Sequence, residues 1–338
     1  MDIREWDTIK DEFSKAAIIL GNGASIAFHN KFNYSSLYEI AGDSKIITDE
    51  IAKIFKLFSA KTKSFEYILQ QLWYASNINK VLKIKGKEMD NAYYSIRTAL
   101  IDTVQTAHGS FQDWKNEDPT FSIKLEKAAN FLKNFSTVIS LNYDCLVYWI
   151  IMKGKDLFGN WLKDTFTDNG QSTPDWDMLR TCHGKAEGAT LVLYPHGNLS
   201  LVTDREQLTK KLTCKKTSFD LITFIKEKWE TKEYAPLFIS EGDSKQKLDR
   251  IRSNSYLARV YSELYQVGNK IVIYGWGVTE QDEHILKAIL HNHAQIEKIG
   301  ISIFNEDSSC LNLIYKYFPF LKEKIILFDA NSINCWIY

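Results

Sequence analysis

Residues Ala16 to Leu20 form an unbroken apolar run that stops at Gly21-Asn22-Gly23-Ala24-Ser25, after which a second apolar stretch begins. A strand with one wet face alternates apolar and polar residues, whereas one covered on both faces does not. The missing alternation and the β-branched pair Ile18 and Ile19 therefore predict a central strand of a parallel sheet, turning at the glycines into a helix.

Similar runs recur and end alike. "STVIS" leads into Leu141-Asn142-Tyr143-Asp144, and "NKIVIY" into Gly275-Trp276-Gly277. "ATLVLYPHGNLSLVT" reads as two strands around a Gly-Asn turn, and "KIGISIFNED" and "KIILFDA" as further short strands. From about residue 46 to 135 the apolar residues instead fall three and four apart, as in "SFEYILQQLWYASNINKVL" and "FSIKLEKAANFLKNF", the spacing of amphipathic helices. Residues 150 to 188 are rich in loop formers. The expected fold is α/β, a Rossmann-like, doubly wound, mostly parallel sheet. It forms one domain over residues 1–338 with a helical insertion at approximately 46–135. Such sheets bind ligands at the carboxyl ends of their strands.

Composition narrows the function classes. Lysine plus arginine and aspartate plus glutamate number 42 each, so no broad electrostatic attraction to nucleic acid is expected. The densest basic run, Lys210, Lys211, Lys215 and Lys216, reads as a solvated strand edge or hairpin tip. The start "MDIREWDTIKDEF" lacks the apolar core of a signal peptide, and no apolar stretch is long enough to cross a bilayer. Cys145, Cys182, Cys214, Cys310 and Cys335 are scattered, as reduced thiols of a cytoplasmic protein would be. No zinc knuckle is spaced among them, and no metal is expected.

Each strand end allows a structural and a functional reading. Gly21-Asn22-Gly23 is either a tight turn or a phosphate cradle, and Ile26 replaces the third glycine of the usual dinucleotide fingerprint. Asn142 and Asp144 cap a helix or hold a ligand. His196, before Gly197, is a buried hydrogen-bonded residue or a general base; His183 in "CHG" ranks below it because no strand precedes it. Thr279 to Asp282 resembles a capping box, which competes with a ligand role for Asp282. His284, His291 and His293 do not share a helix face and read as surface residues.

Read in order, these motifs resemble the sirtuin-like NAD-consuming domains. The counterparts are Gly21-Asn22-Gly23-Ala24-Ser25, Asn142-Tyr143-Asp144, His196-Gly197, Gly275-Trp276-Gly277 and Asn305. "SLNYD" and "PLFISEGDSKQKL" look more like a poorly characterised bacterial branch of anti-phage defence than like the protein deacylases. The resemblance implies NAD as substrate and a hydrolase that releases nicotinamide and ADP-ribose. It also implies activity gated by a protein partner or homo-oligomer. The absence of cysteine pairs for a zinc module weakens deacylation, and Gly277 stands where many relatives have serine.

Nicotinamide leaves as a neutral pyridine, so the enzyme needs no acid for it, only a fixed ribose and an aimed water. The resemblance gives Asn142 the positioning of water and ribose and His196 the role of general base, with Asp144 in support. Gly21, Asn22, Gly23, Ala24 and Ser25 would hold the pyrophosphate. Gly275, Trp276, Gly277, Asp282 and Asn305 would face the adenosine side. The alternative is a sensor that binds NAD, ADP-ribose or a related nucleotide without turnover.

Overall fold

The computed structural model describes residues 2–32, 37–58, 64–84, 87–109, 111–213, 221–231, 233–308 and 310–338. Among them run eleven strands. They are β1 (Ile3–Arg4), β2 (Ala17–Leu20), β3 (Thr137–Ser140), β4 (Leu162–Asp164), β5 (Thr190–Leu193), β6 (Gly197–Thr203), β7 (Thr209–Lys211), β8 (Ala235–Phe238), β9 (Lys270–Tyr274), β10 (Lys298–Ile303) and β11 (Ile325–Asp329).

Eight of them form one sheet in the order β1-β11-β10-β9-β2-β3-β5-β4, and every pairing in it is parallel. The chain winds outward from β2 through β3 to β5, then returns to β9 beside β2 and winds the other way to β11. Parallel crossovers are right-handed, so this reversal puts helices on both faces of the sheet. The architecture is thus α/β, Rossmann-like and doubly wound, with its switch point between β2 and β9. The run predicted as a doubly covered strand is fully buried as β2, and so is every residue of β3 and β5.

The strand pair expected in "ATLVLYPHGNLSLVT" divides between two sheets. The turn is Tyr194-Pro195-His196, and Gly197 and Asn198 already belong to β6. β6 is the centre of a small antiparallel sheet, β7-β6-β8. Gly197 permits this exit, since its φ is +67° and a Cβ would sit 2.2 Å from the Leu237 carbonyl. β7 is an edge strand, as its lysines suggested, but only partly solvated. Lys210 pairs with Asp204 at 2.7 Å, while Lys211 pairs with buried Asp164 beneath the surface. Cys214, Lys215 and Lys216 lie outside the described residues.

The helices between β2 and β3 include Asp49–Phe58, Phe65–Val81, Glu88–Ala107, Phe111–Glu117 and Phe121–Leu132. Ser64 caps Phe65–Val81 by accepting the Tyr67 amide, and its hydroxyl also receives an Arg250 N–H at 2.9 Å. Tyr74 donates to Gln207. The helical segment is thereby docked on the later half of the chain rather than projecting from it. The described residues contain no helix long and apolar enough to cross a membrane.

Candidate functional site

At the switch point the β2 and β9 turns touch backbone to backbone. The Gly21 amide donates to the Tyr274 carbonyl at 3.0 Å and the Gly23 amide to the Gly275 carbonyl at 2.7 Å. A Cβ on Gly21 would lie 2.4 Å from Trp276 Cα, and one on Gly275, at φ +63°, 2.4 Å from the Ala24 nitrogen. No side chain fits there. This answers why the first motif needs glycine: two turns must approach closely. Nor does the loop offer a ring of free amides, because the Ala24 amide also returns to the Gly21 carbonyl.

On the β3 side the loop is held by a buried polar set. The Asn142 amide donates to the Gly21 carbonyl and to Ser25 Oγ, both at 2.9 Å. The Ser25 hydroxyl donates to Asp144 Oδ2 at 2.6 Å, and Asp144 Oδ1 accepts the Leu146 amide at 2.8 Å. Asp144 therefore holds the first amide of the helix Leu146–Phe158 from just before its N-cap, Cys145, and through Ser25 it ties that helix start to the glycine loop. Ser25 is fully buried and Asn142 nearly so.

His196 stands next along the same sheet edge. It is buried, and its Nε2 lies 3.2 Å from Nε2 of His284 and 4.0 Å from Asp282 Oδ1. A weaker contact with the backbone of Leu141, the residue before Asn142, favours the protonated ring. His284 corrects the surface reading given to it: it is buried in the helix Glu283–Ile289. Its Nδ1 is 3.1 Å from Ser244 Oγ, and its backbone N–H donates to that hydroxyl. Burial drives His196 down to about 4 and His284 to about 3, so both rings are neutral near pH 7.

Asp282 does not form the capping box that its sequence resembles. Thr279 makes no side-chain cap, and the Asp282 carboxylate instead receives the Lys247 ammonium at 2.7 Å. Burial would raise its pKa, but the nearby His196 ring and Lys247 outweigh that and lower it. Asp282 thus belongs to the histidine network. His291 remains exposed and His293 half-buried. Ser244, Lys247 and His284 carried no strand-end signal in the sequence, and only the packing of the helix Ser244–Ser253 against Glu283–Ile289 brings them to His196.

On the other side of the glycine loop, above β9 and β10, a cleft of about 550 Å³ opens. Gly23, Gly275, Trp276, Gly277 and Asn305 line it, together with Ile26, Phe304 and Asp307. Five of the ten residues expected at a nucleotide therefore share one cavity, while Asp282 is in the histidine network and Ser25 faces Asn142. Asn305 and Glu306 have φ of +49° and +61°, the tight turn that reverses the chain between Phe304 and Asp307. Among the described residues no cluster of three or more His, Cys, Asp or Glu is placed to hold a metal ion. Cys145, Cys310 and Cys335 are buried free thiols and Cys182 is exposed.

Comparison with curated proteins finds no match. A family described as a domain of unknown function, DUF4917, matches residues 18–336, from inside β2 to Trp336, and so takes in the switch point, both polar sets and the cleft. By that match the chain belongs to the DUF4917 family.

Proposed function

We propose that the protein is an NAD glycohydrolase whose dinucleotide lies across the glycine loop. The observation that carries this reading is the placement of the loop. It separates a roomy cleft on the β9–β10 side from the Asn142–His196 edge on the β3–β5 side, at the switch point of a doubly wound sheet. Such switch points are the usual dinucleotide sites. The motif order that resembles sirtuin-like NAD-consuming domains supports the same choice. The adenosine end would occupy the cleft and the nicotinamide ribose would face Asn142. The pyrophosphate would cross above Gly21 to Ala24.

The chemistry asked of these residues is modest. The C–N bond to nicotinamide breaks, its electron pair stays on the pyridine nitrogen, and a water oxygen bonds to the ribose carbon. The water's proton passes to a base and then to solvent. Asn142 is anchored by its own amide hydrogens, so its carbonyl oxygen is the atom left to orient ribose or water. His196 is neutral near pH 7 and so can accept at Nε2, once His284 yields that position.

The test is NAD turnover by wild type, Asn142→Ala and His196→Ala, in purified form and in expressing cells, with nicotinamide as the readout. Wild type should consume NAD, and each variant should lose activity by orders of magnitude at unchanged folded fraction. Full rate in both variants sinks the assignment. One observation favours the second reading, a non-catalytic nucleotide sensor: His196 is buried and its Nε2 is engaged. Tight NAD or ADP-ribose binding without product, purified or in cells, would select the sensor. Gating by a partner or a second copy, and action in anti-phage defence, remain part of the proposal through the resemblance.

A further inference from the structure

The helix Phe65–Val81 carries two apolar faces, and only one of them is covered. Ile68, Leu69, Leu72 and Trp73 fill the core. Ile78, Val81 and Leu82, three and four residues apart, share another face and are 56%, 81% and 63% exposed. Ile84, 54% exposed, follows in the turn that ends the helix. There the Lys83 amide donates to the Lys80 carbonyl at 3.2 Å and the Ile84 amide to the Asn79 carbonyl at 2.9 Å, a Schellman cap. Lys83 sits at φ +54°, a left-handed position that glycine would hold without strain. Residues 78–87, "INKVLKIKGK", contain four lysines and no acidic residue, aromatic, methionine or arginine. Lys80, Lys83 and Lys87 are exposed. Of the acids that follow, Glu88 is exposed at the start of the helix Glu88–Ala107, and Asp90 accepts the Ser76 hydroxyl.

We infer that this tip docks on the interface of a bilayer that carries anionic headgroups. A protein interface is built otherwise, with a core depleted in lysine and anchored by aromatic side chains and arginine. A second copy of the tip would set lysine against lysine. A membrane interface takes both halves of the composition. Aliphatic side chains sink to the boundary between headgroups and acyl chains, while lysine ammoniums on flexible stems stay at the phosphates. Four aliphatic side chains insert only shallowly, so the attachment is peripheral and reversible. It needs no membrane-crossing helix, and the described residues contain none. Docking of this kind requires no nucleotide.

Co-sedimentation of the protein with vesicles of phosphatidylcholine, alone or mixed with phosphatidylglycerol, tests this. Wild type should bind the anionic vesicles at least about tenfold more tightly than the neutral ones, and added salt should weaken that binding. Val81→Ser combined with Leu82→Ser should abolish it. Both side chains are exposed, so circular dichroism and thermal melting should show the fold unchanged. Lys83→Gly separates the surface from the fold, since it removes one charge and one left-handed lysine. It should raise the thermal midpoint while lowering affinity for anionic vesicles by about fivefold. Equal binding to the two kinds of vesicle, or binding unmoved by Val81→Ser with Leu82→Ser, overturns the inference. Binding of wild type to neither overturns it in favour of a protein surface as the partner.

Discussion

The rings of His196 and His284 meet Nε2 to Nε2 at 3.2 Å. Two such nitrogens can share one proton, so one ring donates and the other accepts. The tautomers set the roles: with His196 carrying its proton on Nδ1, its Nε2 accepts, His284 donates through Nε2–H and the Ser244 hydroxyl donates to His284 Nδ1. A second proton on the pair would set two N–H groups against each other without water.

A pH dependence of stability follows, and its sign is fixed. Burial lowers His196 to about 4, His284 to about 3 and the buried His108 also to about 3. Unfolded histidines titrate near ~6.5, so below that pH the unfolded chain binds more protons. The rings' contribution is complete above about pH 6.5 and is lost as pH falls toward 4. Urea unfolding should show stability dropping through that window with a slope near three protons. His284→Gln keeps a donor for His196 and should remove about one proton from the slope. A flat profile down to pH 5 would contradict the buried, neutral rings.

Lys247 and Asp282 form the charged half of the same network, with the lysine side chain only 7% exposed. Asp282 favours a proton on His196 and Lys247 opposes it. Lys247→Met should therefore move His196 up toward the ordinary range, visible as a shifted imidazole titration in NMR. It should also destabilise the fold by about 3–5 kcal/mol, the usual effect of stranding one partner of a buried pair. An unmoved His196 titration would show that Lys247 does not act on the ring.

Much of the sheet edge was legible because buried parallel strands are written as unbroken apolar runs whose ends are marked. Gly21, Asn142, His196 and Gly275 were all found that way. What escaped the reading depended on tertiary partners. His284 sits in an amphipathic helical sequence with other histidines, and its burial is decided by the helix that carries Ser244 and Lys247, forty residues earlier in the chain. The small sheet was missed because Gly197 reads as a turn residue. Its positive φ serves instead to take the chain from one sheet to another. The sequence leaves Asp144 two roles, and its bond to the Leu146 amide emerges only once Leu146 opens a helix.

The two glycines of Gly275-Trp276-Gly277 should behave differently. Alanine at Gly275 meets both a positive φ and the Ala24 nitrogen, whereas a Cβ at Gly277 meets nothing within 4 Å. Gly275→Ala should lower the thermal midpoint by many degrees or abolish soluble expression, and Gly277→Ala should leave it within a degree or two. Gly42, in the helix Leu37–Asp43, also has open space around it. Gly42→Ala should stabilise by about 0.5–1 kcal/mol, since alanine loses less backbone freedom in a helix. Equal effects at Gly275 and Gly277 would refute the backbone contact between the two turns.

Ser25 is the joint between the glycine loop and the strand that carries Asn142. Its hydroxyl donates to Asp144 and accepts from Asn142, in a fully buried position. Ser25→Ala removes the hydroxyl that donates to Asp144 and accepts the Asn142 amide, a loss of about 1–3 kcal/mol. Asp144 keeps its bond from the Leu146 amide, so the helix should survive. Because both substitutions remove the same bond, Ser25→Ala and Asn142→Ala should be non-additive, with a coupling of at least about 0.5 kcal/mol in a double-mutant cycle. On the proposed function Ser25→Ala should also lower NAD turnover, by loosening Asn142, with little change in KM. Strict additivity in stability would mean that the two side chains act independently, and the Asn142 amide would then be anchored by the Gly21 carbonyl alone.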